Sequence, residues 1–209
     1  MTAPAALDQG ALERAVRELA ARDDALAGIV ARHGSPPLWA RAPGFETLVA
    51  IVLEQQVSLA SGAAALERLR RAAGAIEPAA IVALGEEGAR GAGQTRQKAR
   101  YVVGLAGAAL DGRLDPIAIA AAPDDEARAS LTALLGIGRW TADIYLLTAL
   151  GRPDVWPDGD LALRTSMRRA LGLPTIPDAA AQRAIAERWR PWRAVAARLL
   201  WHAYLAGER

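Results

Sequence analysis

Leu134-Leu135-Gly136-Ile137-Gly138-Arg139-Trp140-Thr141-Ala142 is the stretch whose reading decides the fold. Two glycines, two positions apart, interrupt an apolar helical run and let a second helix begin at once. Glycine takes φ > 0 and admits close backbone approach, so the pattern predicts a tight hairpin between two helices. Ile137 is expected to plug that turn into the apolar layer between them. The second helix is predicted to run Arg139–Leu150. It enters Gly151-Arg152-Pro153-Asp154-Val155-Trp156-Pro157-Asp158-Gly159-Asp160, a Gly/Pro-rich loop closing on an aspartate.

Outward from the hairpin, the periods are helical and no convincing alternating strand occurs. Upstream, Pro123-Asp124-Asp125-Glu126 is a helix start, with proline in the first turn and acids facing the positive end of the dipole. Thr95 caps a helix Arg96–Leu110, and Asp111-Gly112 ends it. Pro78–Leu84 reads as a short helix. Ser58 caps Leu59–Ala73, which Gly74 stops, and Phe45–Gln55 reads as a buried helix. Ser35–Gly44 carries three prolines and one glycine and is a linker. Leu12, Val16, Leu19 and Ala20 form the apolar face of an N-terminal helix. Downstream, helices are expected at Leu161–Leu171, Asp178–Trp189 and Pro191–Leu205. The fold class is all-α.

Composition narrows the chemistry. The 209 residues, 52% hydrophobic and 23% charged, describe an ordinary soluble chain. No apolar run approaches the ~18 residues of a membrane span, and the first residues lack the pattern of a signal peptide; the expected location is the cytoplasm. There are no cysteines and only His33 and His202, which excludes disulfides, zinc–thiolate sites and an iron–sulfur cluster. The net charge is +2, but Gly151–Arg209 carries ten Arg against six acids. A basic excess after the hairpin suits phosphate contact, and equally suits a solvated surface of an Arg-rich chain.

The first turn of a helix presents N–H groups with no partner in the helix, and such a start binds anions, a DNA phosphate among them. Carbonyls on the other side of the hairpin suit a monovalent cation. Asp160, 22 residues after Gly138, stands at a predicted helix start, where an N-cap aspartate is common. Both roles are compatible, because a capped carboxylate is fixed and ionised. A fixed anion beside a sugar C1′ stabilises the cation formed as a base leaves, or orients the attacking water. Asp158 competes for either role. Six tryptophans stand against one phenylalanine. Trp189 and Trp192 read as packing, whereas indoles elsewhere offer surfaces on which an extruded base stacks and a cationic base gains cation–π attraction.

Taken together, these residues resemble the helix-hairpin-helix DNA glycosylase superfamily with its Gly/Pro loop and aspartate, and more narrowly its 3-methyladenine DNA glycosylase II type. The resemblance runs from about Pro37 to Trp201, through Ile51–Ser58, Gly93–Tyr101 and Leu134–Ala142. It implies two helical lobes within one unit, residues 43–150 as one lobe and 1–42 with 151–209 as the other, and a DNA-binding cleft. It implies Asp160, not Asp158, as the catalytic carboxylate. Gly136, Ile137, Gly138 and Thr141 would contact the DNA backbone with Ser58, and Gln56 would wedge into the gap left by a flipped base. Trp140 and Trp201 would line the base pocket. The backbone carbonyls of Thr132, Leu134 and Ile137 would hold a structural Na+ or K+, with no other cofactor required. Departures accompany the match: Leu135 replaces a usual proline, Ile144 stands near a tyrosine position, and Trp140 replaces the lysine of bifunctional relatives. Without that lysine no Schiff base forms there. The best-known bacterial member also carries an N-terminal β-rich domain, for which this length leaves no room.

The resemblance therefore implies a monofunctional, monomeric enzyme of base excision repair. It would bind double-stranded DNA carrying a damaged base and hydrolytically release alkylated purines, 3-methyladenine and 7-methylguanine, leaving an abasic site. Two alternatives stay open: a glycosylase for deaminated or oxidised bases, and a lesion-sensing DNA-binding protein without catalysis.

Overall fold

The computed structural model describes residues 4–207, which hold twelve α-helices, one 3-10 turn and no strand. The residues at the very start, read above for a targeting segment, lie outside them. No helix among the described residues is long and apolar enough to cross a membrane. By contact the chain forms two compact units, one of Arg41–Tyr145 and one of Pro4–Ala40 with Leu146–Arg209.

The first unit contains α3 (Phe45–Glu54), α4 (Leu59–Ala73), α5 (Pro78–Gly91), α6 (Arg96–Leu110), α7 (Pro116–Ala121), α8 (Asp124–Thr132) and most of α9 (Arg139–Thr148). Its centre is α3, whose Leu48, Val49, Ile51, Val52 and Leu53 are all fully buried. Such a run is apolar on every face because neighbours surround it; α4 and α6 pack against it. Ser58 and Thr95 cap α4 and α6 through their hydroxyls, which accept from Ser61 N–H and Lys98 N–H, both at 3.2 Å. The Pro78 helix is longer than its apolar pattern predicts. Gly85, at φ +68°, breaks it, and a second piece continues to Gly91. The short α7, capped by Asp115 and begun by Pro116, also went unread.

The second unit contains α1 (Gln9–Arg22), α2 (Asp24–His33), α10 (Leu161–Ala170), α11 (Ala179–Ala186), η1 (Glu187–Trp189) and α12 (Arg193–Leu205). The N-terminal face is as expected, with Leu12, Val16 and Leu19 buried. The second helix after it follows from Asp23, which ends α1 and caps α2 through Oδ1, accepting from Ala25 and Leu26 N–H at 3.1 Å. The other oxygen of Asp23 accepts from Trp189 Nε1 at 2.7 Å, and Arg188 pairs with it at 2.8 Å. Trp189 is fully buried, its ring 5.6 Å from that of Trp156, so it is a core residue, as its position suggested.

Arg198 lies inside this core at 1% exposure. Its Nε donates to the Leu38 carbonyl at 2.9 Å, Nη1 to Ala194 at 3.1 Å and Nη2 to Leu147 at 2.8 Å. Burial pushes its guanidinium down to about 10, so it stays charged at neutral pH. The fork ties the Leu38 segment, α9 and α12 together, using carbonyls in place of a carboxylate. Arg198→Met strands three carbonyls while relieving the burial of one charge. We expect a loss on the order of 3 kcal/mol, which thermal unfolding followed by circular dichroism would register as a fall of roughly 6–12 °C.

Candidate active site

The hairpin is built by two turns. Leu134 N–H closes on Leu131 O at 3.1 Å, and Ile137 N–H on Leu134 O at 3.2 Å. In the Leu134–Ile137 turn Gly136 is the third residue, at φ +85°. This is the type II pattern, which needs a left-handed residue there and favours proline just before it. Leu135 occupies that proline-favoring position, and its side chain instead lies against Gly104 of α6. Ile137 is buried at 4% exposure, as its plugging role requires.

The two glycines prove unlike. A Cβ on Gly136 would sit 2.4 Å from Cγ of Tyr101, so that ring presses directly on the turn. Gly138 has no positive φ, and a Cβ there would meet nothing within 4 Å. Its carbonyl accepts from Ala142 N–H at 3.0 Å, which places it at the start of α9. The expectation that both glycines serve backbone conformation is thus corrected. Gly136 serves the turn, whereas Gly138 leaves open space at an exposed helix start.

Gln55 joins the hairpin to the end of α3. Its Nε2 donates to Gly136 O at 3.0 Å and to Thr141 Oγ1 at 2.9 Å. Thr141 is buried at 2% exposure, and its hydroxyl works inside the protein as the partner of Gln55. Gln56, next in sequence, is exposed and left-handed at φ +59°. A non-glycine residue held there is uncommon and marks a position the surroundings over-determine. Lys98 Nζ donates to Leu53 O at 2.6 Å, at the end of the same helix. Burial pushes its ammonium pKa down. Ser58, exposed, caps α4. Trp140 lies half-buried in the first turn of α9, and Ile144 is buried. The neighbouring Tyr145 turns inward, its hydroxyl accepting from Gly44 N–H at 3.0 Å.

Arg128 clamps the two hairpin helices. Its Nε donates to Asp143 Oδ1 at 2.7 Å, and Nη1 to Asp125 at 2.6 Å. At the candidate cation site, Leu134 O already accepts from Ile137 N–H, and Thr132 Oγ1 turns back onto Arg128 O at 2.9 Å. Among the described residues, no backbone N–H of a turn or cap closes on the carbonyls of Thr132 or Ile137.

In the second unit, the loop to Asp160 is fixed from several sides. Gly151 O accepts from Leu7 N–H at 2.7 Å. Asp154 pairs with Arg193 at 3.0 Å and Arg190 at 2.6 Å. Two residues of α11 hold its tip: Gly159 N–H donates to Gln182 Oε1 at 2.9 Å, and Arg183 pairs with Asp158 at 2.8 Å. Asp160 caps α10; its Oδ1 accepts from Leu163 N–H at 2.9 Å and from Trp201 Nε1 at 3.2 Å. Asp158 is thus tied to an arginine, while Asp160 is oriented by a helix end and an indole. The half-buried Trp201 therefore meets the carboxylate through its N–H edge, a contact that spacing did not reveal. Gln55, Tyr101, Gln182 and Arg183 were also missed; Gln55 and Tyr101 lie inside stretches quoted above, but their partners are distant in sequence.

The family model described as the HhH-GPD superfamily base excision DNA repair protein matches residues 49–191. DNA-3-methyladenine glycosylase 2 of Escherichia coli is 30% identical over 84% of this chain and 64% of its own length. A probable bifunctional transcriptional activator/DNA repair enzyme of Mycobacterium tuberculosis is 45% identical over 36% of this chain and 14% of its own length. The chain thus matches less than two thirds of the length of these relatives. The solved Schizosaccharomyces pombe 3-methyladenine DNA glycosylase in complex with abasic DNA superposes with a TM-score of 0.85 at 26% identity, covering 94% of this chain and 98% of that one.

Gly136→Ala combines a left-handed backbone with a 2.4 Å overlap on Tyr101, and we expect a loss of about 2–4 kcal/mol. Gly138→Ala meets open space and should stay within about 1 kcal/mol of the parent. Denaturant unfolding of the two variants side by side checks this; equal losses would contradict the distinction. By family and architecture the chain belongs to the HhH-GPD superfamily of base excision DNA repair proteins.

Proposed function

We propose that the chain is a monofunctional DNA glycosylase that releases alkylated purines, 3-methyladenine and 7-methylguanine, by hydrolysis. The observation that carries this reading is Asp160, whose Oδ1 is fixed by Leu163 N–H and Trp201 Nε1 in a chain of a base excision repair superfamily. The names of its relatives supply the lesion class.

The chemistry follows from the leaving group. A methylated purine carries a positive charge, so the bond from C1′ to the base nitrogen breaks with both electrons going to the base, which departs neutral. The sugar is left oxocarbenium-like. The Asp160 carboxylate stabilises that cation and accepts a proton from the water that adds to C1′. No general acid is needed, because the base already bears the charge. Trp140 and Trp201 offer indole surfaces, which favour a cationic base. Trp140 occupies the position where a lyase lysine would form a Schiff base, so the strand stays intact and the product is an abasic site.

The grip comes from the hairpin, the first turn of α9 and the start of α4, as backbone contacts that read no sequence. Gln56 fills the gap left by the extruded base. A monovalent ion held by the carbonyls of Thr132, Leu134 and Ile137 would add positive charge beside the phosphate. The protein acts as a monomer on double-stranded DNA.

The test is base release from methylated duplex DNA, wild type beside Asp160→Asn. Free 3-methyladenine or 7-methylguanine is expected from the wild type, with intact strands. The variant should be slower by on the order of 10³-fold at unchanged affinity, since asparagine retains the oxygen that accepts from Leu163 and Trp201. Equal loss of binding and release would remove Asp160 from the catalytic role. Release of a uracil or 8-oxoguanine instead would redirect the lesion class. In the same assays Gly138→Val should weaken damaged and undamaged duplex alike, because the hairpin meets only backbone.

A further inference from the structure

Helix α6 carries three residues at a spacing of three, Lys98, Tyr101 and Gly104, and each touches a turn expected at DNA. Lys98 Nζ holds Leu53 O at 2.6 Å, at the end of α3 where the chain bends into the left-handed Gln56. The Tyr101 ring supports Gly136, and its hydroxyl accepts from Gln97 Nε2 at 2.6 Å, one turn back on the helix. Gly104 faces Leu135, whose Cδ2 would lie in ordinary contact, at 3.4 Å, with a Cβ there. Residues three apart lie on one helical face, so a single rigid stripe of α6 contacts both the turn that carries Gln56 and the hairpin. Gln55 closes the circuit from the other side, through its bonds to Gly136 and Thr141.

We propose that this face of α6 sets the register between the wedge and the phosphate grip, with Lys98 and Tyr101 as positioning residues that never touch DNA. Lys98 acts through Gln56: its ammonium supplies a charged donor to the carbonyl at the end of α3, where helix carbonyls lack partners. That bond fixes where α3 ends and so where the left-handed residue points. Tyr101 acts through the hairpin, by holding Gly136 in its turn. The two ends of the stripe therefore differ in consequence. Loosening Lys98 affects only DNA with a gap to fill, whereas loosening Tyr101 affects every duplex.

This rests on reading Gln56 as the wedge, and the experiment separates the two ideas. Affinities are measured for an undamaged duplex and for one carrying a tetrahydrofuran abasic analogue. The analogue has no base to release, so the outcome does not depend on excision. Lys98→Met should weaken the abasic duplex roughly tenfold or more, from the loss of a charged hydrogen bond, and leave the undamaged duplex unchanged. Gln56→Ala should do the same, and Lys98→Met added to Gln56→Ala should cost nothing more. Tyr101→Ala should weaken both duplexes alike. Full additivity of the Lys98 and Gln56 changes, or equal loss on both duplexes for Lys98→Met, would overturn the register role. An unchanged affinity for Gln56→Ala would remove the wedge reading, and with it this role for Lys98. If Lys98→Met does not fold, Lys98→Gln, which keeps a polar head but lacks the reach, gives the same comparison.

Discussion

The left-handed backbone at Gly136, pressed against the Tyr101 ring, is the constraint on which the first unit depends. A β-carbon at that point would overlap the ring, so the close approach exists only because the residue is glycine. The approach in turn lets α6 lie directly beneath the hairpin. It brings Gly136 O within reach of Gln55 and leaves Leu135 to pack on Gly104. The Arg128–Asp143 pair then holds α8 to α9. There, burial pulls the guanidinium pKa down, and the Asp143 hydrogen bond and charge outweigh it, so the net direction is up. The Tyr101 and Gln55 contacts act on the turn itself, whereas the Arg128–Asp143 pair joins the two helices it connects.

Helix ends recur wherever chemistry is expected. Gln56 and Ser58 lie between the end of α3 and the start of α4, the hairpin lies between α8 and α9, and Asp160 caps α10. Helix starts carry N–H groups in need of partners, and helix ends carry carbonyls. A fold made only of helices thus presents donors for phosphate and fixed points for side chains at the same places. Asp160 illustrates the economy. The N–H that satisfies the helix start also orients the carboxylate, and the Trp201 N–H adds a second direction to the same oxygen. The loop before Asp160 is as firmly held, with α11 gripping Asp158 and Gly159.

The periodic, capped elements were legible. Ser58, Thr95, Pro123 and Asp160 announce helix starts, and each stands at one. The hairpin was legible because two glycines in an apolar run admit few other structures. What stayed hidden shares a physical cause, namely that its partners are far apart in sequence. Gln55 bonds residues 81 and 86 positions away, and Trp201 bonds a residue 41 positions away. No local pattern encodes such pairs. Gly85 misled for the opposite reason: a glycine that ends a helix looks the same as one that kinks it and lets it resume. Gly138 looked like Gly136, yet φ separates them: Gly136 is the third residue of a tight turn, and Gly138 opens α9. The two-sided tie of Arg198, to Leu38 and Leu147, follows the same rule.

Gln56 shows what the distant contacts accomplish. A glutamine at φ +59° costs on the order of 1–2 kcal/mol against the ordinary regions. Left to itself the turn would relax, and the side chain would sample many directions. Lys98 on the Leu53 carbonyl and Gln55 on the hairpin hold it against that tendency, so the cost is met during folding. A side chain already directed loses less freedom when it enters a gap in a duplex, and the affinity retained is correspondingly greater. The strain at one residue, the only lysine in the chain, and a glycine whose replacement overlaps the Tyr101 ring are thus parts of one arrangement. It converts folding stability into a preset geometry for the proposed wedge.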